Sequence, residues 1–296
     1  MTGGWLSIAA PLDSSGAGRG EERGPRALLA AGLGAAFNAA DGGEVARRLG
    51  DPCRDSGTGI ISFDDLCAAS AELRETVADA LNQGRRPLVL GGDCTLLIGA
   101  LAGAREIVGQ PGLWFVDGHA DLFDGESSPT GEAADMELAM LTGHGPSGLV
   151  ALTGFVPLVD PGSVVILGHR PAELNQEVAA ELARVHEAVA TVSADEIASI
   201  GARRVGEEWT RRLAARGPVW LHLDLDALDE EVMPAVTYPQ PHGLDWDSFV
   251  SLIRPMLRSE QLMGVSVADL EADLDPAGTF ATRVTEAIAE ALEPGL

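Results

Sequence analysis

The sequence predicts an α/β protein, a three-layer α/β/α arrangement on a central, mostly parallel sheet. Three observations carry that prediction. Short apolar runs alternate with amphipathic segments along the chain. The runs are apolar at nearly every position, as in parallel strands covered by helices on both faces. Several of them end abruptly in glycine and charge, and ligands of such sheets gather outside the carboxyl ends of the strands. No internal repeat or low-complexity linker divides the 296 residues, so one domain spanning 1–296 is expected.

The elements read in order as follows. "WLSIAAPL" (5–12) is a first strand that runs into the Gly- and Ser-rich loop "DSSGAGRGEERG". "GPRALLAAGL" (24–33) is a helix with Pro25 in its first turn, where the missing N–H costs nothing. A loop rich in Gly and Asp follows. Residues 64–83 alternate apolar and polar at helical spacing, with acids in the first turn and Gly84 placed to stop the helix. "RPLVLGGDC" (86–94) is a strand ending in a glycine turn, and "TLLIGALAGARE" (95–106) is a helix. "GLWFVDGHADLF" (112–123) is a strand that ends in charge; "GSVVILGHR" (162–170) is a strand, and 171–189 reads as one long helix. After a helix over 201–217 come the strand "VWLHLDL" (219–225), a helix over 245–259, a strand with its loop over 261–276, and a closing helix over 281–293.

Composition limits the functions available. Apolar residues make up 46% and charged residues 22%, a globular profile, and aromatics at 4% leave the core to Ala, Val, Leu and Ile. A formal charge of −25 would be repelled by nucleic acid or by an anionic membrane surface, so neither is an expected partner; a small, cationic substrate or metal ions suit it. Three cysteines, Cys53, Cys67 and Cys94, make no disulfide framework and fit a reducing compartment. With no basic, apolar leader and no run long enough for a span, a cytoplasmic location is expected.

The chemistry lies in the charged strand ends. Side chains alternate along a strand. Extended geometry would therefore place Asp117, His119 and Asp121 of "VDGHADL" together, and Asp224 with Asp226 of "LHLDLDAL". Neighbouring strand ends would then offer four carboxylates and an imidazole to one small volume. Anions crowded in a low dielectric repel strongly and must be protonated or paired. No basic residue is interleaved with them, and two divalent cations bridged by carboxylates would balance the charge.

In "GGDC" (91–94), "DGHAD" (117–121), "HLDLDALDE" (222–230) and, more weakly, "GVSVADLEADLDP" (264–276), the chain resembles the arginase, or ureohydrolase, family, which includes agmatinases and formimidoylglutamases. The resemblance runs from about residue 5 to residue 290. It implies two divalent ions, Mn2+ first, with Asp117 and Asp224 bridging, Cys94 and Asp121 completing one site, and His119 and Asp226 completing the other. It also implies hydrolysis of a C–N bond in a guanidino or related compound by a hydroxide held between the ions, with Asp121 relaying a proton to the leaving amine. Related enzymes assemble as homo-oligomers.

Several positions depart from the family pattern. Cys94 replaces a histidine, and a thiolate there would shift preference toward Zn2+ or Fe2+; the alternative is a small buried residue beside a weakened site. Phe123 stands where an asparagine grips a substrate carboxylate, Ala134 stands near an expected proton-shuttle histidine, and Asp269 replaces a substrate-binding glutamate. Glu173 is placed to meet a substrate ammonium or merely to open a helix. The cysteine and the missing shuttle resemble the branch that hydrolyses N-omega-hydroxyarginine. Alternative readings keep the fold and metals with another linear amide or amidine bond, or make the chain a metal-binding member without turnover. Single-zinc deacetylases of similar architecture fit the two acidic sets poorly. His222 replaces a small residue beside Asp224, as a support for a ligand or as packing.

Overall fold

In the computed structural model, which describes residues 3–293, eight strands form a single sheet: β1 (Trp5–Ala10), β2 (Ala40–Glu44), β3 (Arg86–Gly91), β4 (Gly112–Val116), β5 (Val164–Leu167), β6 (Ala190–Val192), β7 (Val219–Asp224) and β8 (Leu262–Ala268). Their order is β2-β1-β3-β8-β7-β4-β5-β6, and every pairing is parallel. The helices are α1 (Gly24–Ala30), α2 (Leu33–Ala36), α3 (Phe63–Asn82), α4 (Leu96–Val108), α5 (Glu137–Leu141), α6 (Ser147–Val150), α7 (Gln176–Leu182), α8 (Ala194–Ile200), α9 (Ala202–Ala214), α10 (Trp246–Leu257) and α11 (Thr279–Leu292). Among the described residues none is long and apolar enough to cross a membrane.

Strand alternation divides the core into two layers. Leu88, Leu90, Trp114, Val116, Leu221, Leu223, Val265 and Val267 pack with Val205 and Leu213 of α9, Phe249 and Ile253 of α10, and Val284 and Ile288 of α11. On the other face Val89, Leu113, Phe115 and Trp220 meet Leu66, Leu73 and Val77 of α3 and Leu97 and Leu101 of α4. Burial of both faces explains why the strands carry apolar residues at consecutive positions.

Local signals decide where the helices stop. Gln83 ends α3 and Gly84 follows at φ +71°, a left-handed conformation that glycine adopts without strain. Gly32, at φ +95°, breaks the helix expected over 24–33 into α1 and α2. The long helix expected over 171–189 is largely absent. The Asn175 side chain caps Val178 N–H, so α7 starts at Gln176, and it ends at Leu182. The chain then turns, with Ala188 N–H bonded to His186, and enters β6. Helix-favouring residues in 183–189 yield there to the strand pairing that completes the sheet edge. The strand β2, "ADGGE", is a mostly exposed edge, and its Asp and Gly content reads locally as loop.

Candidate metal centre

The topology sets β3, β8, β7 and β4 side by side, so four carboxyl ends open on one region. In register, Leu90 lies beside Val267, Asp224 beside Ala268, and Val116 beside Leu223. The next residues along β3, β4 and β8 therefore include Cys94, Asp117 and Asp269. Close backbone approach holds this corner together. Asp269 N–H donates to Gly92 O at 2.6 Å, and a Cβ on Gly92 would lie 1.7 Å from the Leu12 carbonyl oxygen. Asp269, at φ +66°, and Asp121, at φ +50°, both sit in the left-handed region, an uncommon placement for residues other than glycine.

Extended geometry does not last as far as the sequence suggests. The strand β4 ends at Val116, and Asp226 lies in a 3-10 turn just after β7. Turns in which a side chain accepts the N–H two residues on bring the acids together instead. Asp117 accepts from His119 N–H at 2.7 Å, and Asp224 accepts from Asp226 N–H at 2.7 Å. Ligand atoms of Cys94, Asp117, His222 and Asp224 lie within 4.8 Å of one another, as do those of Cys94, Asp117, Asp121 and Glu137, and those of Asp117, His119 and Asp226. Asp117 belongs to all three groups. Its Oδ2 is buried without a hydrogen-bond partner, as are both carboxylate oxygens of Glu137. Orphaned buried oxygens among thiol and carboxyl donors fit divalent cations.

Electrostatics gives the same result. Burial first, and then mutual repulsion, push Asp117, Asp121, Asp224 and Glu137 well above the usual carboxylate range. Asp226 goes the other way. Burial would raise it, but the His119 imidazolium, Nδ1 2.7 Å from its Oδ2, and then Arg170 bring it down to about 2. Burial likewise opposes charge on His119, yet Asp226 lifts its pKa to about 9. Without cations, protons hold this cluster together.

Four residues support the cluster; three of them, Glu181, Arg170 and Glu137, have no role in the sequence reading, and the fourth, His222, is there either a support or packing. Glu181 of α7 is buried and accepts Asp121 N–H at 2.6 Å, fixing the turn after His119. Arg170 is buried behind Asp226 and donates to main-chain carbonyls of the loop after β7. Glu137 comes from α5, inside the apolar run "MELAML"; an acid in so apolar a stretch was the available signal. His222 is fully buried, stacked on Phe115, with Nδ1 2.8 Å from Ser266 Oγ and Nε2 3.2 Å from Cys94 Sγ. The Trp220 indole N–H can only donate, so Ser266 Oγ accepts it and has its own proton free for His222 Nδ1. Nε2–H then faces the sulfur, which also contacts Asp224. Burial pushes His222 down to about 3, so the ring stays neutral.

A cavity of ≈310 Å³ opens over the cluster. Cys94, His119, Asp121, Asp224, Asp226, Phe123 and Asp269 line it, while Asp117 lies beneath. Phe123 is buried, with the Arg184 guanidinium 5.6 Å from its ring centre. Ala134 lines the wall and brings no titratable group. Glu173 is exposed and outside the lining; Glu177 and Glu181 of α7 reach the cavity instead, because α7 begins later than the sequence suggests. Glu21, Glu132 and Asp135 add further acid, and among the described residues no lysine or arginine lines the wall.

Residues 6–292 match the Arginase family. An arginase of Brevibacillus brevis is 33% identical over 253 residues, 83% of each chain. Among solved structures, an arginase from Bacillus caldovelox superposes with a TM-score of 0.90 at 25% identity, and one from Bacillus cereus with 0.87 at 28%, each over 100% of both chains. With its eight-stranded parallel sheet and its acid-rich strand ends, the chain belongs to the arginase family, the metal-dependent hydrolases of C–N bonds in linear amidines.

Proposed function

We propose that this chain cleaves a C–N bond of a small guanidino, hydroxyguanidino or formimino compound at a dinuclear metal centre, releasing urea or hydroxyurea from the first two. Asp117 carries the reading: it is common to three donor groups and has a buried oxygen without a partner. Cys94, Asp121, Asp117 and Asp224 would hold one cation, and His119, Asp226 and the same two shared aspartates the other. Two divalent ions, Mn2+ first, supply a hydroxide at neutral pH and stabilise developing charge when bound. Zn2+ or Fe2+ at the Cys94 corner is the alternative.

The chain's own residues do the rest. Asp121 lines the cavity beside the cluster, where its carboxylate is suited to pass a proton to the leaving nitrogen. Asp269, whose two carboxylate oxygens each lie 3.4 Å from Thr237 N, presents its charge to a guanidinium. Phe123 forms an apolar part of the wall, in the place of a carboxylate-gripping asparagine, and suits a substrate tail less dependent on a carboxylate. Acid on every side selects a cationic substrate. With Ala134 in the wall, the imidazole lining the cavity is that of His119, a metal-ligand candidate held by Asp226 rather than free to protonate a poor leaving group, which favours a hydroxyguanidine over arginine.

The test is to count Mn, Zn and Fe per purified chain and to screen guanidino, hydroxyguanidino and formimino compounds, reading urea or hydroxyurea. Near two metals per chain with turnover is expected, fastest on a hydroxyguanidine. Two metals with no turnover on any of these would move the reading to another linear C–N bond or to a non-catalytic protein. A chain that takes up no divalent ion would refute it.

A further inference from the structure

We propose that Glu137 is a ligand of the cation at the Cys94 corner, together with Cys94, Asp117 and Asp121; the inference rests on the dinuclear reading above. Glu137 is fully buried. Its neighbours along the chain, Met136, Leu138, Ala139, Met140 and Leu141, are apolar and buried in the core layer shared with α3 and α4. Among the described residues no N–H or hydroxyl donates to either of its oxygens, and the neighbour within hydrogen-bonding reach is another acid, Asp121. One of those oxygens lies within 4.8 Å of ligand atoms on Cys94, Asp117 and Asp121. The nearby cationic groups serve elsewhere: His119 pairs with Asp226, and Arg170 donates to main-chain carbonyls.

A carboxylate left so is among the costliest things a core can hold. Two arrangements relieve it. In one, a proton is shared with Asp121, making an acid pair. In the other, a cation sits among the four donors. The donor set favours the cation, because Asp117 Oδ2 is orphaned at the same place and an acid pair between Glu137 and Asp121 leaves it unsatisfied. One ion would take an oxygen from each of Asp117 and Glu137 and so relieve both residues. Counted with the shared Asp224, it sets four hard carboxylate donors against one soft sulfur, which keeps this corner acceptable to Mn2+ despite the cysteine.

The experiment uses the full chain, stripped by chelator and titrated with Mn2+ in equilibrium dialysis, with free Mn2+ read by electron paramagnetic resonance. Wild type is compared with Glu137→Gln and Glu137→Leu. Wild type is expected to take two Mn2+ per chain. Both variants should lose one of the two, or bind it at least about 10-fold more weakly, the lower end of the loss caused even by outer partners of a ligand. Metal-free, both variants should melt no lower than wild type, since each removes an unpaired buried acid.

Two Mn2+ bound with wild-type affinity in both variants would make Glu137 a protonated partner of Asp121; the inference would fall while the dinuclear reading stood. Variants that melt well below wild type without metal would show that the carboxylate has a structural partner, which also overturns the inference. Wild type that binds none of Mn2+, Zn2+ and Fe2+ would sink both readings.

Discussion

Replacing Arg170 with methionine should cost about 4 kcal/mol of folding stability. The guanidinium is 1% exposed. It donates to the carbonyl oxygens of Asp226 at 2.8 Å, Leu228 at 2.9 Å, Gln240 at 3.0 Å and Pro241 at 3.0 Å. Among the described residues no carboxylate forms an ion pair with it; its partners are the main chain of the loop after β7. Three of these acceptors share the two hydrogens of Nη2, so the set amounts to three full hydrogen bonds; at roughly 1.5–3 kcal/mol for each bond to a charged group they contribute roughly 5–9 kcal/mol. Several kcal/mol are recovered when the buried guanidinium is no longer withheld from water, leaving about 4. In a chain of this size each kcal/mol moves the midpoint by about 2 °C, so Tm should fall by about 8 °C. Arg170→Lys keeps the charge but cannot send a planar fork to four acceptors, and should fall between. Urea denaturation of metal-free protein near neutral pH reads both. A methionine variant within about 1 kcal/mol of wild type would refute the reasoning, because water would then be satisfying those carbonyls.

Three further outcomes are expected. Cys94→Ala should lower metal content at its corner and Cys94→His should raise Mn2+ uptake relative to Zn2+, both read by elemental analysis; unchanged content in the alanine variant would exclude the thiolate as a ligand. Gly92→Ala would drive a Cβ to 1.7 Å from the Leu12 carbonyl oxygen and should destabilise by about 4 kcal/mol or more, read as the urea midpoint; an unchanged midpoint would mean that the turn yields freely. Asp135 is pushed up to about 6, chiefly by burial, against the hydroxyls of Ser128 and Thr130. Its folded pKa lies above the unfolded value of about 4, so ionising it costs stability: the cost is absent below about pH 4, grows as pH rises to 6, and is constant above. Asp135→Asn should therefore gain on wild type across that window, and equal differences at pH 4 and pH 7 would contradict it.

The metal-ligand candidates were legible because they stand in short motifs at the ends of apolar runs, where residue type and spacing are visible together. What held them was less so. His119 and Asp226 reach their places through turns onto the Asp117 and Asp224 carboxylates rather than through strand alternation, a difference spacing alone does not reveal. Glu137 and Glu181 approach from helices that follow in the chain, and only the packing of α5 and α7 brings them in. Glu173 went astray because Asn175 caps α7 later than the apolar pattern implied. The edge strand β2 hid behind Asp and Gly, which favour turns until a neighbour offers a ladder.

The strand order also has a consequence for the growing polypeptide. During synthesis β3 and β4 emerge early, yet in the finished sheet β8 and β7 stand between them. The strands β3 and β4 therefore cannot take up their final separation within one sheet, three strand spacings or roughly 14 Å, until translation has passed residue 268. Two unpaired inner edges stay open to wrong partners in the meantime. Losing β8 would not trim the molecule from its rim but split it down the centre, separating Cys94 from Asp117.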